Sequence, residues 1–415
     1  MNYSNKNNIY TENLICPITK SNNKVKYFDL GNTPLVNNLY NSFEESINCE
    51  KYPLSVSLFK ESGLTVLDIT VNPDKLFSNY LYRSSTNIPY ITHAKEMFRN
   101  LVSVISLSEN DICVDIGGND GTLLIAFNEA SKELNLPLCK KINIDPSDIS
   151  NESNKRGIRT INEFFTEKTF NTIGQKAKLI ITTNVFQHLS DIKQFLNGIN
   201  LLLDDNGIWC LEFPYWGTTM ETNQFDQIYH EHIYYYLISP LKNFLENNDL
   251  RIVNASEHFI HGGSVRLLIT KTNSSVKSDD SVSYFISKEK KYDSKYYLNW
   301  SNQINSHLKE CENILKNIEG NIVGFGAAAK GCIFLNRLNI DYNTIKYVID
   351  DTLEKQGKYI PGTGIKVINR DIINNQKIDY ILILAHNFSK YIMDSLISFG
   401  YKGKFLILLP EIKII

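Results

Sequence analysis

The chain has 415 residues, too many for one compact core and suited to two or three domains of roughly 100–200 residues each. Its hydrophobic fraction of 42% and charged fraction of 21% are those of an ordinary folded protein. Lys+Arg 43 against Asp+Glu 45 leaves a net charge of -2, which argues against nucleic acid or an anionic membrane surface as a partner.

The N-terminal "MNYSNKNNIYTENLIC" has no basic region leading into an apolar core, and no segment reaches the roughly 18 apolar residues that span a bilayer. The expectation is a cytoplasmic protein. Cys16, Cys49, Cys113, Cys139, Cys210, Cys311 and Cys332 are odd in number and form no Cys-x-x-Cys pair. Neither a disulfide framework nor a zinc ribbon follows from them.

Residues 1–75 read as short strands broken by turns, with "FDLGNTPLVNNLY" (28–40) carrying Gly and Pro punctuation. From Pro89 to about residue 212 the pattern becomes helix, strand, Gly-rich turn and helix, repeated, as in a doubly wound parallel sheet. Polar "KTNSSVKSDDSVS" (271–283) reads as a linker before an amphipathic helix. There Tyr297, Trp300, Ile304, Leu308, Cys311, Leu315 and Ile318 recur at steps of three and four, and Gly320 is the stop. "NIVGFGAAAKG" (321–331) opens a second strand, Gly turn and helix, followed by strands at "IKYVIDD" and "DYILILAHN". The expected architecture is α/β: a small β-rich N-terminal lobe over 1–75, a central Rossmann-like domain over 76–272, and a C-terminal Rossmann-like domain with its linking helix over 273–415.

"DICVDIGGNDGTLLIAF" places Asp115, Gly117 and Gly121 as Asp-x-Gly-x-x-x-Gly between an apolar strand and a helix. Glycines there let the backbone approach a ligand, and the helix offers its N-terminal dipole; a turn that is glycine-rich for steric reasons alone reads the same way. The dinucleotide pattern Gly-x-Gly-x-x-Gly is missing. A second acid, Asp145, ends the next strand in "INIDPS", where a carboxylate accepts ribose hydroxyls. "EFF" (163–165) and a strand ending at Asn184 follow. The succession is typical of class I S-adenosylmethionine-dependent methyltransferases. Asp115, Gly117, Asn119, Asp120, Asp145, Phe165 and Asn184 are the candidate cofactor-binding residues.

Over nearly its whole length the chain resembles the nucleotide-sugar 3-C-methyltransferases of deoxysugar biosynthesis. The resemblance is carried, in order, by "YLYRSS", "VDIGGNDGTLL", "NVFQHL", "EFPY", "FDQIYHEH", "HGGSVRL", "VGFGAAAKG" and "KQGKYIPGTGIKV". It implies methyl transfer from S-adenosylmethionine to the carbon beside a 4-keto group of a nucleotide-linked sugar. It also implies an N-terminal zinc lobe, a central methyltransferase domain and a C-terminal domain of similar topology. The zinc pattern is broken here: one Cys-x-x-Cys place reads Cys16 and Thr19, the other Phe59 and Ser62. Four good ligands are needed for tetrahedral zinc, so the lobe is expected to fold without metal.

Carbon methylation beside a ketone needs a base for the α-proton, donors for the enolate oxygen, and an aligned methyl sulfonium. "FDQIYHEHIYYY" (225–236) concentrates suitable groups. By the resemblance His232 is the base, with Tyr229, His188 and Tyr82 as donors near the sugar. Glu231 either orients an imidazole or binds a sugar hydroxyl. His230 and His232 share one side of a strand but lie roughly 200° apart on a helix, and no third ligand stands near, so no metal is assigned. Hydrogen-bonded histidines without catalytic duty are the plain alternative. His261 in "HGGSVRL" either reaches the same cleft or starts a tight turn.

Gly324, Gly326 and Lys330 in the second glycine loop, with Asp350 at the next strand end, suit a pyrophosphate. Close packing of helix on strand would use the same small residues. The loop lacks the Walker pattern, which argues against nucleotide hydrolysis. The expected protein is thus a monomeric C-methyltransferase acting at C-3 of a nucleotide-linked 4-keto deoxysugar through an enolate. Its rivals are an O- or N-methyltransferase of the same fold, a non-catalytic relic that binds sugar nucleotides, and a nicotinamide dehydrogenase.

Overall fold

The computed structural model describes residues 9–77, 83–86 and 88–415. Its centre is a seven-stranded sheet ordered, edge to edge, Leu250–His258, Ser264–Lys271, Leu203–Pro214, Ala177–Thr183, Ile112–Ile116, Lys140–Ile144 and Arg159–Ile161. Ser264–Lys271 runs antiparallel to both neighbours, and the other pairings are parallel. This is the class I methyltransferase strand order, with the reversed strand in its proper place.

Strand alternation explains how the sheet is covered on both faces. Ile112, Val114 and Ile116 join the core that includes the helix Ile192–Leu202, through Phe195, Leu196 and Ile199. Cys113 faces the other way, into the core built with the helices Ile88–Val102 and Thr122–Glu133.

The second α/β unit is a six-stranded sheet ordered Lys366–Ile368, Tyr347–Ile349, Ile322–Phe325, Tyr380–Ile383, Lys404–Ile407 and Lys413–Ile414, parallel except for its last pair. The helix Ser294–Asn317 leads into it. Asp293 caps that helix by accepting the Tyr296 amide, and Tyr297, Trp300, Ile304, Leu308, Cys311 and Leu315 form its buried stripe. Ile318 lies just past the helix end. Trp300 meets the rings of Phe28 at 5.3 Å and Trp216 at 5.6 Å, joining this helix to the N-terminal sheet and the central unit.

The polar run expected as linker is shorter than its composition suggests, because a helix, Ser281–Glu289, begins inside it. Val282 and Phe285 are buried, and Glu289 turns inward to accept the Ile238 and Ser239 amides and the Tyr215 hydroxyl, each at 2.7 Å. Three good donors satisfy a buried carboxylate that its sequence neighbours do not reveal.

The N-terminal region is β-rich, as expected. One sheet pairs Tyr10–Glu12 with Ile69–Val71; the other is ordered Tyr234–Tyr235, Leu64–Leu67, Lys51–Phe59 and Lys24–Pro34. Its edge strand therefore comes from the tyrosine-rich segment more than a hundred residues downstream. Cys16 is buried with Sγ 3.2 Å from the Ser62 hydroxyl, and Phe59 is buried in the core. One thiol, one hydroxyl and an aromatic ring do not fit the zinc that the family pattern implies. Among the described residues no group of three or more His, Cys, Asp or Glu could hold a metal ion, and no helix is long and apolar enough to cross a membrane.

Candidate active site

Two cavities meet beside the ends of the central parallel strands. The larger, about 480 Å³, is lined by Gly117, Asn119, Asp145, Phe165 and Asn184 among others. Gly117, just after the strand Ile112–Ile116, has φ +74°, and a Cβ there would fall 2.2 Å from Cγ2 of Val185. No side chain is tolerated, and the backbone itself becomes cavity wall. Asp145 fixes the next residues of the loop: Oδ2 accepts the Asn119 amide at 2.9 Å, while Oδ1 accepts the Ser147 amide at 2.9 Å.

Two of the seven residues expected at this cavity do not line it. The Asp120 carboxylate accepts from the Thr122 hydroxyl at 2.7 Å and the Ser85 amide at 3.0 Å, so it links the first residue of the helix Thr122–Glu133 to the chain at 83–86. Asp115 lies beneath the loop, 1% exposed, with both carboxylate oxygens buried and, among the described residues, accepting no hydrogen bond. Burial, reinforced by the charge of Asp145, pushes its carboxyl up to about 8.

The smaller cavity, about 310 Å³, is lined by His188, Tyr229, Glu231, His232, His261 and Lys330 among others, and shares Asn184 and His188 with the larger one. Tyr82 lies outside the described residues. His232 Nδ1 donates to the Gln227 carbonyl at 3.0 Å, which leaves Nε2 as an acceptor for the Tyr229 hydroxyl at 2.6 Å. His188 donates from Nδ1 to the backbone carbonyl of Glu231, and its ring centre lies 4.9 Å from that of His232. Burial is the main cause that lowers all these imidazoles, to about 4 for His188 and His261 and well below the usual range for His232. They are neutral bases at pH 7.

Glu231 is the counterexample. Its carboxylate receives both contacts of the Asn37 amide, at 2.7 and 2.9 Å, and burial raises it to about 7 against that donation. His230 points away, with Nε2 donating to the Pro53 carbonyl at 3.2 Å. The two histidines flanking Glu231 therefore diverge.

His261 adopts φ +54° in a turn and lines the cavity, so the two readings of "HGG" hold together. Its carbonyl accepts from Gln227 Nε2 at 3.0 Å and from Lys330 Nζ at 3.3 Å. Lys330 opens the helix Ala329–Arg337 and also donates to Gln224 Oε1 at 3.1 Å. Burial lowers its ammonium to about 8, opposed by the charge of Asp226.

Gly324, Gly326 and Asp350 do not line either cavity. A Cβ on Gly324 would meet Val348 Cγ2 at 2.8 Å, and one on Gly326 would meet the Ala385 Cβ at 2.8 Å, so close packing claims both glycines. Ala327, Ala328 and Ala329 form the wall in their place. Asp350 acts at one remove, accepting the Ala327 amide at 2.9 Å and the Lys355 ammonium at 3.3 Å.

Asn37, Gln227 and Lys355 line the smaller cavity without having been singled out. Gln227 lies inside "FDQIYHEH" and Lys355 opens "KQGKYIPGTGIKV", so the motifs contained the signal. Asn37 had no local one. Beside the cavity, buried Asp226 contacts His386 across 2.7 Å, joining the segment 225–236 to the C-terminal unit.

Comparison with known proteins agrees with this architecture. A family described as "Methyltransferase domain" matches residues 90–255, and one described as "C-methyltransferase C-terminal domain" matches residues 259–410. The two matches lie one after the other along this chain, the second to a part described as belonging to C-methyltransferases. It is 26% identical over 411 residues to the C-methyltransferase NovU of Streptomyces niveus, an alignment covering 96% of each chain. Among solved structures, the mitomycin 7-O-methyltransferase MmcR overlaps 45% of this chain and 56% of its own at 17% identity and a TM-score of 0.35. The magnesium protoporphyrin IX methyltransferase ChlM of Synechocystis PCC 6803, solved with bound SAH, overlaps 45% of this chain and 84% of its own at 14% identity and a TM-score of 0.35.

Proposed function

We propose that the protein transfers a methyl group from S-adenosylmethionine to C-3 of a nucleotide-linked 4-keto deoxysugar, through an enolate. The observation that carries this reading is the junction of the two cavities at Asn184 and His188, with the His232–Tyr229 pair on the acceptor side. A donor in one cavity and an acceptor in the other are held at fixed separation, which replaces a chance encounter by one geometry.

The wall formed by Gly117, Asn119, Asp145, Phe165 and Asn184 fits the donor: backbone at the glycine, a carboxylate at a strand end for ribose hydroxyls, and an aromatic ring for the base. S-adenosylmethionine supplies an electrophilic methyl group there. In the acceptor cavity His232 Nε2 is the basic atom, and Tyr229 shares its hydrogen with that atom until substrate enters. His232 takes the C-3 proton, while Tyr229 and His188 stand near the oxygen on which charge grows. Lys330 and Lys355 bring positive charge to the alanine turn at the start of a helix, a setting suited to a pyrophosphate.

The test uses dTDP-, GDP- and CDP-linked 4-keto sugars with methyl-labelled donor. Mass spectrometry should find one carbon-bound label on the sugar, and enzyme with substrate in deuterated water should wash out the C-3 hydrogen. Transfer to oxygen or nitrogen without that exchange would overturn the reading.

A further inference from the structure

The broken zinc pattern leaves the N-terminal lobe without its apparent purpose, yet the lobe grips the catalytic segment at four points within six residues. His230 donates to the Pro53 carbonyl at 3.2 Å, and the Leu67 amide donates to the Ile233 carbonyl at 2.9 Å. Tyr234 and Tyr235 pair antiparallel with Val66 and Thr65. The fourth contact alone reaches a side chain in the acceptor cavity: Asn37 Nδ2 stands 2.7 Å from Oε1 and 2.9 Å from Oε2 of Glu231. Asn37 follows directly on the buried pair Leu35 and Val36, which anchor its backbone in the lobe.

We propose that Asn37 is a positioning residue of the acceptor site, through which the N-terminal lobe fixes the Glu231 carboxyl at the cavity wall and favours its ionised form. The chemistry follows from the donor inventory. An amide nitrogen can only donate, and an N–H shared between the two oxygens favours a carboxylate over the neutral acid. Burial works in the opposite direction, and Glu231 is only 5% exposed. Among the described residues, the other titratable groups around it do not supply a charge partner at hydrogen-bond distance. His188 engages the backbone carbonyl of Glu231, Tyr229 and His232 bond to each other, and His230 faces the lobe. Across the cavity, Lys330 donates to Gln224 and His261, and Lys355 to Ala327 and Asp350. Asn37 is therefore what keeps this carboxyl available as an acceptor near neutral pH. On the reading of the cavity as a sugar site, on which this inference rests, the group it would accept from is a hydroxyl of the deoxysugar.

The experiment uses full-length protein carrying glutamate labelled with ¹³C at the side-chain carboxyl. The Glu231 signal is identified by its loss in Glu231→Gln and followed against pH. In Asn37→Ala the titration midpoint should rise by about one unit, and in Asn37→Asp by more, because a like charge adds to the lost donors. Asn37→Ser keeps a shorter donor and should fall between wild type and Asn37→Ala. The acid limb of kcat/KM should move up with the midpoint, and Asn37→Ala should shift nothing further in a Glu231→Gln background. An unchanged midpoint in folded Asn37→Ala would overturn the proposal, as would a shifted activity limb that persists without Glu231. If the wild type methylates no nucleotide sugar, the substrate reading fails, whereas the carboxyl titration, which needs no substrate, still reads the Asn37 contact.

Discussion

The hydroxyl of Tyr229 donates to Nε2 of His232 across 2.6 Å, while Nδ1 of the same ring is committed to the carbonyl of Gln227. That tautomer makes Nε2 the basic atom and points it at the cavity. Replacing His232 by Ala should lower kcat by about 10²–10⁴-fold, the usual worth of a positioned base, and abolish C-3 exchange in deuterated water. Tyr229→Phe keeps the base and should cost less. Full turnover in His232→Ala would remove the scheme's centre.

The pH profile should be set by the carboxyl and not by the imidazoles. His188 and His261 lie at about 4 and His232 well below the usual range, all mainly through burial, while burial lifts Glu231 to about 7. An acceptor role requires Glu231 to lose its proton, so the acid limb of kcat/KM should rise with pH through about 7, a fall above about 8 belonging to Lys330. Glu231→Gln should erase that limb. Steady-state kinetics across roughly pH 5 to 9 decide it.

Asp115 ties stability to pH with the opposite outcome. Its folded carboxyl sits at about 8, against about 3.9 in an unfolded chain. A raised carboxyl favours the folded state fully below the unfolded value, and that advantage is lost as pH climbs through the folded one. Asp115→Asn cannot ionise, so its Tm relative to wild type should increase from about pH 4 to about pH 8. A constant difference in ligand-free melting would contradict the burial argument.

The two cavities should respond separately to substitution. Lys330→Ala and Lys355→Ala should raise KM for the sugar nucleotide by about tenfold each, as expected for loss of a charge-assisted contact, and leave donor affinity alone. Asp145→Ala should weaken donor binding instead. Calorimetric titration of each ligand separates the outcomes, and a donor defect in Lys330→Ala would mean that the cavities have been assigned the wrong way round.

Trp300 should be the most expensive position on the linking helix, because its ring is shared with Phe28 and Trp216. Trp300→Ala is expected to cost about 3–5 kcal/mol in denaturant unfolding. A cost near zero would mean that the three regions do not share this core.

Local pattern was enough for much of the scaffold. The apolar run Ile112–Ile116 is a strand with those bounds, and the stripe from Tyr297 to Leu315 is the buried face of one helix. Both depend on periodicity, which neighbours in sequence supply. Glycine was less informative: Gly117 forms cavity wall, whereas Gly324 and Gly326 are small because Val348 and Ala385 press on them. The carboxylates split for the same reason. Asp145 reaches the cavity, Asp120 accepts from Thr122 and Ser85 outside it and Asp350 braces a loop, since a carboxylate's duty depends on which donors surround it.

By itself the sequence determined the order of strands and helices, the absence of any Cys-x-x-Cys pair and the crowding of His, Glu and Tyr over 225–236. These follow from residue type and spacing along the chain. Only the tertiary structure decided that His230 turns away from His232, that Lys355 joins Lys330 at the cavity, and that Asn37 meets Glu231. Such contacts join residues up to 194 positions apart, and they are settled by which surfaces pack together, a property no local stretch of the chain carries.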